Sequence, residues 1–137
     1  YMTKRGAYYE ELYAYNKNRN NINERYKLWY ENGNIKEIYN YKYGEQLKFH
    51  ENGKIKEKYY MINGNIYGPC VHYHNNGKLH LKYTVINNVF CGLYQVWNMH
   101  GILCYQCNYV NGIRQYELYF SNGNISLEDI HIEIAKL

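Results

Sequence analysis

The chain has 137 residues, of which 46% are hydrophobic and 20% charged, and its formal net charge is +4; this length and balance suit one folded domain and exclude a disordered tail. No run of about 18 apolar residues occurs, and the start Tyr1-Met2-Thr3-Lys4-Arg5 has no apolar stretch behind its charges, so neither a membrane helix nor a secretory signal is predicted and a cytoplasmic protein is expected. An excess of four positive charges is too small to argue for a nucleic-acid partner.

Twenty tyrosines, a single proline (Pro69) and scarce alanine favour strands over helices. The charge is uneven: residues 1–58 carry 12 basic and 8 acidic groups and residues 59–137 carry 4 of each, so any electrostatic partner is expected at the first half. Opening on Tyr1 rather than Met, the chain is expected to be a fragment of a longer array or enzyme, with Met2 as a start residue behind one extra residue as the alternative.

Asn-Gly is the strongest short-range signal for a two-residue hairpin turn with positive φ at both central residues. In chain order the main turns are Asn32-Gly33, Asn52-Gly53, Asn76-Gly77, His100-Gly101 and Asn122-Gly123, with glycine spacings of 20, 24, 24 and 22. A second turn follows the first four glycines at a constant offset of 11: Tyr43-Gly44, Asn63-Gly64, Asn87-Asn88 and Asn111-Gly112. Four residues before each main glycine stands an aromatic, Trp29, Phe49, Tyr73, Trp97 or Tyr119, and two after it Ile35, Ile55, Leu79, Leu103 or Ile125. Six after it stand Tyr39, Tyr59, Tyr83 and, in the fourth copy, Cys107.

The register also runs upstream, with Asn20 at a second-turn position, Ile22 matching Ile66 and Tyr15 matching Tyr39. Residues 1–25 therefore read as a worn first repeat. Between turns the alternation has period two, as in Ile35, Glu37, Tyr39 or Leu79, Leu81, Tyr83. Short strands joined by tight turns predict an all-β fold of tandem β-hairpins in an elongated, twisted antiparallel meander, about 10 Å per repeat. A β-sandwich is the competing architecture, but it has no need of constant spacing. Residues 128–137 leave the pattern; Ile130, Ile132 and Ile134 alternate like a strand, so a closing cap is expected there, with a short amphipathic helix as the alternative.

The stretches Leu28-Trp29-Tyr30-Glu31-Asn32-Gly33-Asn34-Ile35 and Tyr73-His74-Asn75-Asn76-Gly77-Lys78-Leu79 resemble the membrane occupation and recognition nexus (MORN) repeat, in the second variety found in bacterial and large-virus proteins. The resemblance covers about residues 15–127, in about five copies, so that residues 1–127 form the array. Family members usually carry a further glycine four residues past the second turn. Here it stands only as Gly68 and Gly92, with Lys48 and Tyr116 elsewhere, and the fourth copy has His100 for Asn and Cys107 for Tyr. The resemblance implies protein–protein contact, self-association or attachment near membranes, and some bacterial relatives are labelled antitoxins.

Residue chemistry adds little catalytic material. Cys104 and Cys107 have metal-pair spacing, with Cys70 and Cys91 as further ligands, but residues three apart on a strand diverge unless a bulge intervenes. His72 and His74 fall on one face of one strand and His50 shares the repeat position of His74, with His80 in addition, and all read as solvated side chains beside tyrosines. An acyl-transfer triad would draw on only Ser121, Ser126 and Asp129, the scattered glutamates read as ion-pair partners, and no phosphate-cradling glycine run occurs. No cofactor or metal is called for, and no enzyme is predicted.

The candidate binding surface is a lysine stripe: Lys36 and Lys56 share one slot, Lys54 and Lys78 a second, Lys58 and Lys82 a third, interleaved with Tyr60 and His80. Trp29, Gly33, Phe49, Gly53, Tyr73, Gly77, Trp97, Gly101, Tyr119 and Gly123 are the structural positions. A protein-binding scaffold ranks first, because exposed aromatics suit a protein partner. Peripheral binding to anionic lipid, an antitoxin-like role and the targeting region of a larger enzyme are the alternatives. Single-stranded nucleic acid ranks below them.

Overall fold

The computed structural model describes residues 9–16, 21–121 and 124–131, with side chains from 25 to 120. Gly123, Asn20, residues 1–8 of the first repeat and residues 132–137 of the expected cap lie outside the described residues. The strands are β1 (Tyr9–Asn16), β2 (Asn21–Trp29), β3 (Ile35–Asn40), β4 (Gly44–Phe49), β5 (Ile55–Ile62), β6 (Asn65–Tyr73), β7 (Leu79–Ile86), β8 (Val89–Phe90), β9 (Gly92–Trp97), β10 (Leu103–Val110), β11 (Ile113–Ser121) and β12 (Asn124–His131). Each pairs antiparallel with its chain neighbour in one sheet; the two-residue β8 pairs only β7, and β9 takes the next place. The sheet is open, with β1 and β12 at its ends, as a hairpin meander requires. β1 and β2 make the first hairpin, Tyr15 opposite Ile22, and β12 runs across residues 127 and 128 without a break.

The two sets of turns differ in kind. At Asn63-Gly64 (φ 51 and 79), Asn87-Asn88 (50 and 65) and Asn111-Gly112 (50 and 79) both central residues are left-handed, the two-residue hairpin expected of Asn-Gly. At the main turns only the glycine is, with φ between 83 and 91 at Gly33, Gly53, Gly77 and Gly101. There the Gly33 amide donates to the Tyr30 carbonyl at 3.0 Å and the Tyr30 amide to the Asn34 carbonyl at 2.8 Å, a pattern repeated around Gly53, Gly77 and Gly101. This is a three-residue loop closed by a left-handed glycine, not the two-residue turn expected. The asparagine serves it differently: Oδ1 of Asn32, Asn52 and Asn76 accepts the amide two residues on, at 2.9 to 3.0 Å. Tyr43-Gly44 is a further exception, since only Gly44 is left-handed. There the buried Gln46 carboxamide replaces backbone rungs, accepting the Asn40 amide at 2.6 Å and donating to the Asn40 carbonyl at 2.6 Å.

After each three-residue loop the returning strand carries one extra residue. Leu28 faces Glu37 and Trp29 faces Ile35, so Lys36 has no cross-strand partner. The same holds for Lys56, His80 and Cys104. The repeat's aromatic and its Ile or Leu are thus one cross-strand pair beside a bulge: Trp29 with Ile35, Phe49 with Ile55, Tyr73 with Leu79, Trp97 with Leu103. In the fifth copy Phe120 faces Ile125 while Tyr119 faces Tyr105, which corrects the assignment of Tyr119 to that ladder. The reason is loop length: Ser121 pairs with Asn124, leaving two residues between strands where the earlier copies have three, so the register slides by one.

Paired residues share a face. The buried side chains Gln46, Met61, Cys70, Val85 and Cys107 all fall on one face, with the tyrosines. Across it run the pairs Tyr26–Tyr39, Gln46–Tyr59, Cys70–Tyr83 and Tyr94–Cys107. The fourth copy's missing ring is therefore supplied from the opposite strand: Tyr94 stacks on Tyr83 with centroids 5.3 Å apart and packs edge-on against Phe90. This aromatic layer is the core of a sheet that has no second layer among the described residues.

Candidate binding surfaces

The main-turn edge is held by side chains that reach one repeat onward. Three residues before the glycine, Tyr30 donates its hydroxyl to the Phe49 carbonyl at 2.6 Å, and His50 and His74 place Nε2 2.9 Å from the carbonyls of Tyr73 and Trp97. The turn asparagines donate likewise, Asn32 to Glu51, Asn52 to Asn75 and Asn76 to Met99, at 2.6 to 2.9 Å. Lys54 and Lys78 join this spine, their ammonium groups 3.1 and 3.2 Å from the carbonyls of Asn76 and His100. The Lys54 stem lies over Gly77, where an added Cβ would meet its Cδ at 3.4 Å.

The remaining stripe residues lie elsewhere, because a bulge changes which way the following side chains point. Lys36, Lys56 and His80 are the bulge residues; Lys36 sits over the Tyr30 ring at 5.6 Å, and Lys56 and His80 line a depression with His50, His72 and His74. Lys58 and Lys82 stand on the face opposite the tyrosines, in a row that runs Lys27, Ile38, Leu47, Lys58, Val71, Lys82 across the sheet. Tyr60 is beside that row, paired with Glu45, which also meets Lys58 at 3.6 Å; such an exposed pair contributes little. The eight residues thus occupy three places: turn edge, bulge margin and back face.

On the tyrosine face Glu57 lies between Lys48 at 3.7 Å and His72 at 3.9 Å, and the His72 ring nitrogen is 2.9 Å from the Tyr83 hydroxyl. Tyr105 donates to Glu117 at 2.9 Å. Burial pushes Tyr59 up to about 12 and Cys70 up to about 11, and raises Tyr26, Tyr83 and Tyr105 further. Cys70 is thus a neutral buried thiol at physiological pH, not a nucleophilic thiolate. All four cysteines are free, and the Cys104 bulge does not bring Cys104 and Cys107 to one ligand site: the Cys104 thiol lies 3.3 Å from the Val96 carbonyl. Among the described residues no group of three His, Cys, Asp or Glu is placed to hold a metal.

A further surface escaped the reading of motifs. From Tyr83 to Ile113 the chain has no Asp, Glu, Lys or Arg, and in this span lie seven of the twelve exposed large hydrophobics found among the described residues, among them Ile86, Val89, Leu93, Val110 and Ile113. Ile86 pairs with Val89 and Val110 with Ile113 at neighbouring hairpin tips. The tips touch: the Gly112 amide donates to the Phe90 carbonyl at 3.1 Å, and a Cβ at Gly112 would come within 3.0 Å of Val89. The uncharged run is a plain sequence signal; what it lacks is any indication that successive strands expose it.

Residues 25–43 and 42–63 match the family model described as the MORN repeat variant. These matches cover the first two complete copies of the hairpin unit, and the third and fourth copies repeat its main-turn backbone hydrogen bonds. No curated protein and no solved structure matches the chain.

Proposed function

We propose that this MORN-type repeat module is a cytoplasmic, non-catalytic scaffold that binds a protein partner through the uncharged patch of its second half. The observation that carries the reading is the coincidence of exposed Ile86, Val89, Leu93, Val110 and Ile113 with a span free of charged residues. Contiguous exposed apolar surface marks interaction sites in soluble proteins, and depletion of charge characterises the centre of a protein interface. The Asn88 and Gly112 amides donate to the Ile66 and Phe90 carbonyls of neighbouring hairpins, and a patch tied down in this way before binding loses less entropy on association.

The test is capture of the partner from lysate, its identification, and reconstitution with the purified partner. Leu93→Lys/Ile113→Lys, which adds two charges at exposed sites, should weaken binding at least tenfold with the fold unchanged by circular dichroism; undiminished affinity would remove the patch from consideration.

One observation supports a second reading. Lys27, Lys58 and Lys82 stand on a single row of the back face, and each lysine near an anionic membrane contributes about 1 kcal/mol. Salt-sensitive retention on phosphatidylserine vesicles, lost in Lys58→Glu/Lys82→Glu, would favour it.

A further inference from the structure

Four histidines and a lysine gather at one depression on the tyrosine-face side of the main-turn edge, between the basic first half and the uncharged second. The fold brings them there by two routes. His50 and His74 occupy the same pre-turn slot in successive repeats, and Lys56 and His80 the same bulge slot. The His74 and His80 rings stack with centroids 4.2 Å apart, His72 reaches in from β6, and Met99 closes the far wall.

The hydrogen bonds fix the chemistry of two of these rings. A backbone carbonyl only accepts, so His50 and His74, each 2.9 Å from one through Nε2, carry the proton on that nitrogen. When neutral, each ring has only a lone pair on Nδ1; on protonation Nδ1 becomes a second donor. The depression is therefore weakly donating when neutral and strongly cationic when protonated.

We propose that this depression receives a carboxylate-rich segment of a protein partner and takes up protons as it does so; the inference rests on the protein-binding reading and adds the chemistry of one part of the partner. No acidic residue lines the depression among the described residues, and Lys56 adds a cationic side chain to it. The charged and titratable groups around His80 are His74, His72 and Lys56, and those around His72 are Glu57, Lys48, Lys56 and Tyr83. Glu57, the acid nearest this group, is engaged by Lys48 and His72. Burial first, and then its two histidine neighbours, hold His80 below the ordinary imidazole range, and burial likewise depresses His72. A carboxylate brought in from outside reverses both effects and stays ionised well below pH 6. His50 and His74 stand one repeat apart, about 10 Å, the span of three residues of extended chain; a segment bearing several carboxylates meets both, whereas a lone anion meets one.

The test uses the full chain with hexaglutamate as probe and hexaglutamine as the uncharged control, at pH 5.8 and 7.4 and equal ionic strength. Hexaglutamate should bind at least tenfold more tightly at pH 5.8, and histidine NMR titrations should show the His80 and His72 midpoints moving upward in its presence. Lys56→Gln, at an exposed position, and Lys56→Gln/His80→Gln should weaken binding in steps while the spectrum of the sheet is retained. Equal affinity at the two pH values, equal binding of hexaglutamine, or unchanged binding by the double variant would each overturn the inference. The peptide has no apolar side chain for the second-half patch. Its failure to bind, with Leu93→Lys/Ile113→Lys still releasing the partner, would therefore remove the anion site and leave the scaffold reading standing; the converse pair of results would do the opposite.

Discussion

Exchanging residues 94 and 107 tests whether the aromatic layer is built from cross-strand slots and not from identical copies. Cys107 is fully buried and faces Tyr94, whose ring lies within 5.3 to 6.5 Å of four others, those of Tyr83, Phe90, Tyr105 and Tyr109. Restoring the repeat consensus with Cys107→Tyr would place a second ring in a slot already filled, which costs about 1–3 kcal/mol by overpacking. Tyr94→Cys removes the four ring contacts. A buried aromatic truncation costs about 3–5 kcal/mol, and since Tyr94 is only partly buried about 2–4 kcal/mol is expected. Tyr94→Cys/Cys107→Tyr moves the ring across the strand pair to the geometry that Cys70 and Tyr83 already show. It should recover at least about 1 kcal/mol of the summed losses, within the coupling range of contacting residues. Urea unfolding followed by the fluorescence of Trp29 and Trp97, the latter on the same strand as Tyr94, measures all four proteins, with constant m-values as the check on comparability. A double variant no more stable than the sum of its singles would refute the slot argument.

Gly77→Ala puts a side chain at φ +89 and brings its Cβ to 3.4 Å from Lys54; a loss of about 1–2 kcal/mol is expected in the same assay, and a neutral result would mean the loop relaxes. Folding lowers the pKa of His72 and His80 below 6.5, so the unfolded chain takes up protons first as pH falls. Stability should therefore hold above about pH 7.5 and decline as pH drops through 6.5; a melting temperature that rises between pH 7.5 and 5.5 would contradict the assignment. At the other extreme, Cys70 and Tyr59 are raised from 9.0 and 10.0 to about 11 and 12. The unfolded chain then loses protons first, so stability should fall as pH rises above 9; a melting temperature unchanged from pH 8.5 to 11 would count against that burial. Thiol titration at pH 8 should label the partly exposed Cys91 and Cys104 well before Cys70 and Cys107, and equal rates would show that the aromatic layer opens readily.

The hairpin array was legible in the amino-acid sequence because its determinants are local. Asparagine and glycine at fixed spacing dictate where the strand reverses, and alternation of Tyr, Leu and Ile dictates which side is covered. That held for the antiparallel order of the strands, in which Trp29, Phe49, Tyr73 and Trp97 each face an Ile or Leu beside a bulge. The candidate site was less legible. Lysines that share a repeat slot look like one stripe in the sequence, yet the extra residue at Lys36, Lys56 and His80 sends them to a different place from Lys58 and Lys82.

Tertiary structure decided what depends on partners on other strands. Asn32 and Lys54 read as turn-formers or free charges until the next repeat supplies the carbonyls they reach. Cys107 reads as a lost tyrosine until β9 supplies Tyr94. The apolar patch emerges only when the hairpin tips at Val89 and Gly112 touch. Turn chemistry and two-residue alternation act within about ten residues and are written in the sequence itself, whereas bulge parity and side-chain reach act between strands, so the same residue types take different roles according to the register of their neighbours.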